Sequence, residues 1–170
     1  MPVDELTRLR RSDRAMGSEA EIEALLQRAQ VGYTATCVEG QPFLHPSLFW
    51  YDASTRRIYL HTALEGRTHD NVLLNPRVCF SVAELGRLLP AETAMQFSNE
   101  YASVCVFGRA RLAEADDEKR YGLQGLLDKY FPDRRPGRDY RPITDDELAI
   151  TAVYAIEIDG WSGKQKVAPQ

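Results

Sequence analysis

From Tyr33 to Val82 the chain passes through short runs of β-branched and aromatic residues, most of them ended by a tight turn, and this spacing commits it to an antiparallel sheet. Tyr33 to Val38 is the first run, and Glu39-Gly40-Gln41-Pro42 turns it into a second, Phe43 to Tyr51. That second run is apolar on both sides, so both faces are expected to be covered. Pro46 lies inside it and cannot donate to a ladder, which requires an edge position, a bulge or a neighbour other than a strand. After the turn at Asp52 to Thr55, residues Arg57 to Thr62 alternate, with Ile58 and Leu60 on one side and Tyr59 and His61 on the other. Val78 to Val82, Glu100 to Leu112 (with a bend at Gly108) and Ile150 to Ile158 complete six expected strands. In the last, Ile156 and Ile158 face inward.

Helices are expected at three places. Ser18 with Glu21 forms a capping-box pattern ahead of the stripe Ile22, Leu25, Leu26, Ala29. The segment from Glu65 to Leu74 is short and stops at Asn75-Pro76. A third helix, Asp117 to Tyr130, carries Tyr121, Leu123, Leu126 and Leu127, with acidic residues at its start where the helix dipole favours them. Residues 1–17 lack core periodicity and read as an extended N-terminal arm, leaving 18–166 as one domain. Gly86 to Ser98 reads as a loop, and the Pro-rich stretch 132–147 as a long loop with a dimer or surface role. The sum is an α+β fold, a small Greek-key barrel with flanking helices.

The 170 residues carry a net charge of −4, which argues against broad nucleic-acid binding. The arginines at 8, 10, 11 and 14, and at 134, 135 and 138, read as solvated segments. No run approaches the roughly 20 apolar residues of a membrane helix, and the first residues lack a secretory pattern. Cys37, Cys79 and Cys105 are widely spaced, with no Cys-x-x-Cys pair, and read as small buried hydrophobes. These features make a cytoplasmic protein the expectation.

Candidate chemistry concentrates in residues 58–71. A strand delivers His61 and Thr62, the chain turns at Glu65-Gly66, and a helix opens at Arg67-Thr68. Helix N-termini attract phosphate through free N–H groups and a partial positive charge. Arg67 adds a bidentate contact, Thr68 a hydroxyl, and Gly66 room for close approach. A plain strand–turn–helix with a surface arginine fits the same residues. The three histidines are spaced by 16 and 8 residues and match no metal motif, so no metal site is expected. His45 and His61 are either ordinary strand histidines or one of them reaches a cofactor. Near the end, Gly160-Trp161-Ser162-Gly163-Lys164 follows a strand, and the indole either plugs the barrel mouth or stacks on a planar ligand beside Lys164.

Three segments, in order, resemble the flavin-binding split-barrel superfamily of pyridoxamine-phosphate oxidase, and within it the nitroimidazole-resistance (Nim) proteins. They are Tyr59-Leu60-His61-Thr62-Ala63-Leu64-Glu65-Gly66-Arg67, Glu100-Tyr101-Ala102-Ser103-Val104-Cys105-Val106-Phe107-Gly108-Arg109-Ala110 and Ile156-Glu157-Ile158-Asp159-Gly160-Trp161-Ser162-Gly163-Lys164. The resemblance implies a six-stranded split β-barrel that works as a homodimer, with FMN in the cleft between two barrels. By position, Arg67 and Thr68 hold the phosphate, while Pro46, Ser47 and Leu48 line the flavin edge. Thr62, Gly66, Asn71, Trp161 and Lys164 complete the implied cofactor-binding set, and His61 stands at the family's candidate catalytic position. Thr68 replaces a basic phosphate ligand of the oxidase, and that enzyme's C-terminal substrate residues are missing, which argues against vitamin B6 chemistry. The expected activity is FMN-dependent reduction of a nitroaromatic or similar planar acceptor, with a reduced nicotinamide as donor. The competing expectations are a non-catalytic binder of FMN, haem or another planar ligand, and a deazaflavin-dependent reductase.

Overall fold

The computed structural model describes residues 2–168. Seven strands form one antiparallel sheet: β1 (Gly32–Val38), β2 (Gln41–Ser47), β3 (Trp50–Asp52), β4 (Arg57–Ala63), β5 (Arg77–Leu89), β6 (Ser98–Leu112) and β7 (Thr151–Lys166). Their order across the sheet is β2-β1-β5-β6-β7-β4-β3. The expected single strand Phe43 to Tyr51 is therefore two, and the strand count is seven, not six. β2 ends at Ser47 and β3 begins at Trp50, yet the two lie at opposite edges of the ladder. Three Cα steps span at most about 11 Å, so the sheet must curl until its edges approach each other there. Pro46 sits on an edge strand, as its missing N–H requires, but the expectation that β2 is covered on both faces fails, since Leu44 is 56% exposed.

The gap between the two edges is filled from elsewhere. Phe49, fully buried, plugs it and meets Phe80 edge-on at 4.8 Å. The Phe49 N–H donates to the Tyr130 hydroxyl at 3.2 Å, and that hydroxyl lies 2.8 Å from the Gln30 carbonyl, to which it donates. One side chain thus serves two backbone groups that no ladder reaches. Lys129 closes the same seam, with Nζ 3.5 Å from the centre of the Phe49 ring.

Inside the curl, Ile58, Leu60, Phe80, Val82, Val104, Val106, Tyr154 and Ile156 form one core with Leu25 and Leu26 of α2 (Glu19–Arg28). Ser18 caps α2 by accepting from the Glu21 N–H, but the Glu21 carboxylate accepts from Gly17 N–H at 2.5 Å rather than from the cap residue itself. On the outside, Tyr59 and Val153 pack beneath α4 (Asp116–Tyr130). Gly122 and Gly125 let α4 lie close: a Cβ on Gly125 would meet the Trp50 ring at 2.0 Å.

Several boundaries differ from the sequence expectation. β5 runs on to Leu89 across a register shift between Leu85 and Leu88, and β6 begins at Ser98, so the expected loop at 86–98 shortens to residues 90–97. β7 continues to Lys166 past a bulge at Asp159, opposite Phe107 and Gly108. Gly108 is required there, since a Cβ would lie 2.2 Å from the Glu157 carbonyl oxygen. The stretch 132–147 is not all loop, because Thr144 and Glu147 make a reciprocal capping box that opens α5 (Asp145–Ala149). The arm is not simply extended: it holds α1 (Val3–Thr7), whose Val3 packs on Gly160 of β7. Cys37 is exposed and Cys79 and Cys105 half-buried, so none is a core residue.

Candidate functional site

β4 separates its neighbours by alternation. Thr62 follows the Leu60 side, where its hydroxyl lies 2.9 Å from that of Tyr154. His61 follows the Tyr59 side, toward α4 and α5. Past Ala63 the chain turns, and α3 (Arg67–Leu74) begins after Gly66 at φ 127° and ψ 168°. That conformation is essentially reserved to glycine, and no atom lies within 4 Å of where a Cβ would stand.

No side chain caps α3, so its first N–H groups carry their partial positive charge uncompensated. Arg67 lines a hollow with Phe43, Gln41, Val38 and Asn71, its guanidinium 5.5 Å from the Phe43 ring centre. Thr68 is buried at the first turn. Asn71 has a structural role as well, donating to the Thr36 hydroxyl at 2.7 Å and so tying α3 to β1. On the edge strand, the Ser47 hydroxyl is buried with no hydrogen-bond partner among the described residues. An orphan of this kind is costly and fits a position completed by a ligand. An uncapped helix start, an arginine and an open glycine are together suited to an anion. Ser47 stands at the other end of β2 from Gln41, opposite Gly32, and does not line the Arg67 hollow.

His61 lies in a different hollow of about 330 Å³, with Leu48 on its rim and walls of Leu123, Leu126, Leu127 and Ile143 from α4 and the segment before α5. Solvent reaches the imidazole through the mouth, yet the surrounding apolar atoms desolvate it and hold its pKa below 6.5. The ring is therefore neutral at pH 7. The polar groups around it are otherwise engaged: Tyr130 at the seam, Tyr140 with Gln124 at 2.9 Å, and Arg141 with Glu147 at 2.8 Å.

Leu48 is the one predicted residue that joins Pro46 and Ser47 on the chain and His61 in space. Trp161 and Lys164 line neither hollow. The indole is covered on one face by Arg56 at 4.4 Å, meets Tyr51, and donates to Glu19 at 3.3 Å. Lys164 is held in β7 opposite Ser103. Sequence reasoning missed Tyr130, Tyr140 and Arg141 around the His61 hollow; the capping box at Thr144 was the available signal that this stretch folds back. Among the described residues, no group of three or more His, Cys, Asp or Glu is placed to hold a metal ion, and no helix is long and apolar enough to cross a membrane.

Comparison with known proteins places the fold and the family. The fold matches the flavocytochrome Anf3 of Azotobacter vinelandii with a TM-score of 0.82 at 25% identity, over 97% of this chain and 75% of that one. It matches an FAD and haem binding protein of Mycobacterium smegmatis with a TM-score of 0.81 at 26% identity, over 91% and 74% of the two chains. A protein put forward as a 5-nitroimidazole antibiotic resistance protein, from Bacteroides thetaiotaomicron, matches with a TM-score of 0.75 at 22% identity, over 89% and 86%, a likeness of fold. No curated protein matches the chain. The model of the pyridoxamine 5'-phosphate oxidase family matches residues 18–165, which include β4, the turn at Gly66, α3 and nearly all of β7. The chain belongs to the pyridoxamine 5'-phosphate oxidase family.

Proposed function

We propose that this protein is an FMN-dependent oxidoreductase that reduces a planar acceptor, of the nitroaromatic kind, with electrons from a reduced nicotinamide. The observation that carries the reading is the start of α3, where an uncapped helix terminus, Gly66 and Arg67 meet without a competing side chain. Arg67, Thr68 and the first N–H groups of α3 would hold the phosphate, with Gly66 admitting it. Ser47 would give its orphan hydroxyl to the ring system beside Pro46 and Leu48. FMN, when bound, supplies electron transfer in one- or two-electron steps, and the protein supplies position and exclusion of water. Neutral at pH 7, His61 offers an N–H hydrogen bond to an acceptor rather than a full imidazolium proton. The names of the Azotobacter and Mycobacterium relatives, a flavocytochrome and an FAD-binding protein, support a flavin.

The reading includes a homodimer. The outer faces of β2, β1 and β5 present Leu44, Tyr33 and Leu85 to solvent, 56%, 40% and 72% exposed, without a charged residue between Leu44 and Ser81 across the ladder. A second copy would cover this face, and Trp161 and Lys164, which line neither hollow of their own chain, would approach the flavin held by the partner.

A second reading rests on the His61 hollow, whose apolar walls and unpaired imidazole suit a planar ligand held without turnover, haem included. The Mycobacterium relative is named an FAD and haem binding protein, and the Azotobacter one a flavocytochrome.

The absorption spectrum of the purified protein, followed by denaturation and identification of the released chromophore, tests the first reading. A two-banded flavin spectrum and free FMN are expected, with bleaching by a reduced nicotinamide and reoxidation by a nitroaromatic. A protein that neither carries nor takes up FMN would overturn it. One that binds FMN but turns over no nicotinamide, quinone or nitroaromatic would leave the second reading.

A further inference from the structure

Away from both hollows, the outer face of the sheet gathers nucleophiles that the proposed function leaves unused. Ser81 of β5 stands opposite Cys105 of β6, and Cys79 opposite Phe107, so the two thiols are diagonal neighbours on one face. On the other side of β6, Cys105 stands opposite Ser162 and Ser103 opposite Lys164, which makes Lys164 a second diagonal neighbour. The Ser81 hydroxyl donates to the Val104 carbonyl at 2.9 Å and lies 3.7 Å from the Cys105 sulfur. On these rungs Lys164 is the only charged side chain, and it makes no ion pair among the described residues. The arm brings Asp13 and Arg14, paired with each other, up to Ala15, which bridges Lys164. Tyr33 of β1, opposite Ser81, and Tyr101 of β6 are the remaining titratable groups on this face. Both thiols are half-buried, and the short side chains of Ser81 and Ser162 on either side of Cys105 leave solvent a way to its sulfur.

We propose that Cys105 is a reactive thiolate, oxidised by hydrogen peroxide to a sulfenic acid, with the Cys79 thiol as its hydrogen-bond donor and Lys164 as its counter-charge. The thiolate sulfur attacks one peroxide oxygen, an S–O bond forms as the O–O bond breaks, and hydroxide leaves. Sulfur loses two electrons and the peroxide gains them. Only the thiolate is nucleophilic, so the neighbours decide the reactivity. The Cys79 hydrogen bond, with Ser81 and the charge of Lys164, outweighs burial and lowers the Cys105 thiol to about 6. Cys79 is pushed up by the same hydrogen bond and by burial, and so keeps the proton it donates. Diagonal neighbours stand about 7–8 Å apart. A relaxed disulfide takes roughly 4.4–6.8 Å between Cα atoms. Closure onto Cys79 with loss of water therefore needs a small shift of β5 against β6, and the sulfenic acid forms first. Access alone ranks the thiols differently, because Cys37 is the exposed one. The site does not depend on the flavin, but Cys79 and Ser81 belong to the face that a second copy would cover.

The test is treatment of the full chain with hydrogen peroxide at pH 7 in the presence of dimedone, followed by peptide mass mapping. It is run on the wild type and on Leu44→Arg, whose outer face stays uncovered, so that shielding by a second copy is read separately from an unreactive thiol. Cys105 is expected to carry the dimedone adduct, or to be found joined to Cys79, at least about tenfold faster than Cys37 is modified. Reaction in Leu44→Arg alone would also support the site and would show that a second copy shields it. The rate of iodoacetamide alkylation against pH reads the thiolate directly. For Cys105 its midpoint should fall more than about one unit below the roughly 8.5 of a free thiol. Lys164→Gln and Cys79→Ala should each move that midpoint upward and slow alkylation at pH 7 several-fold, while Lys164→Arg, which keeps the charge, should not. Cys37 reacting first in both proteins, a Cys105 midpoint at the free-thiol value, or a midpoint that Lys164→Gln leaves in place would each overturn the assignment.

Discussion

Gly66 shows how much one residue sets. With φ at 127° and ψ at 168°, it lets the chain leave β4 and enter α3 with Arg67 at the first helical position. Replacement by alanine meets open space, so its penalty is backbone strain rather than collision. Gly66→Ala is expected to lose about 1–3 kcal/mol of stability in denaturant unfolding and to weaken FMN binding with it. Unchanged stability would mean that the turn relaxes freely. The sequence made the turn at this residue legible, because a glycine between a strand pattern and a helix pattern marks a special backbone position, which φ 127° bears out. His61 was legible as chemistry through its alternation with Leu60, but its surroundings were not: α4 and α5 reach it from residues more than 60 positions away.

At the scale of elements, the break between β2 and β3 determines the rest. An apolar run of nine residues looks like one strand, and only the distant Tyr130 hydroxyl reveals why it is two: the Phe49 N–H is satisfied outside the ladder. Tyr130→Phe leaves that N–H and the Gln30 carbonyl without their partner, and should cost about 1–3 kcal/mol in unfolding experiments. A value near zero would show that water takes over both groups. Strand ends were the least legible feature, since β5 and β7 run past Gly86 and Gly160 through irregularities that pairing tolerates and composition conceals. The Thr144–Glu147 box, by contrast, was present in the sequence and marks α5 directly.

For the whole molecule, the α+β class, the three longer helices and most of the sheet followed from periodicity and turns, while α1 and α5 did not. The curl of the sheet did not, because it depends on a two-residue link between opposite edges. The proposed dimer belongs to this scale, and Leu44 is the position at which to test it. Leu44→Arg places a charge on the uncovered face without entering the core. It is expected to shift the protein from dimer to monomer in sedimentation and to lower FMN affinity in parallel, as a cleft shared between copies requires. Dimers that persist, or full affinity in a monomer, would place the flavin within one chain.

The most direct test of the account is a fluorescence titration of FMN and of riboflavin, which differ by the phosphate, against wild type and Arg67→Ala. A charge-assisted hydrogen bond contributes about 1.5–3 kcal/mol, roughly 10- to 150-fold in affinity. The account predicts that the wild type prefers FMN by at least that factor, and that Arg67→Ala removes most of the preference while leaving riboflavin binding unchanged. Equal binding of the two flavins by the wild type, or a preference that survives the loss of Arg67, would contradict a phosphate site at the start of α3.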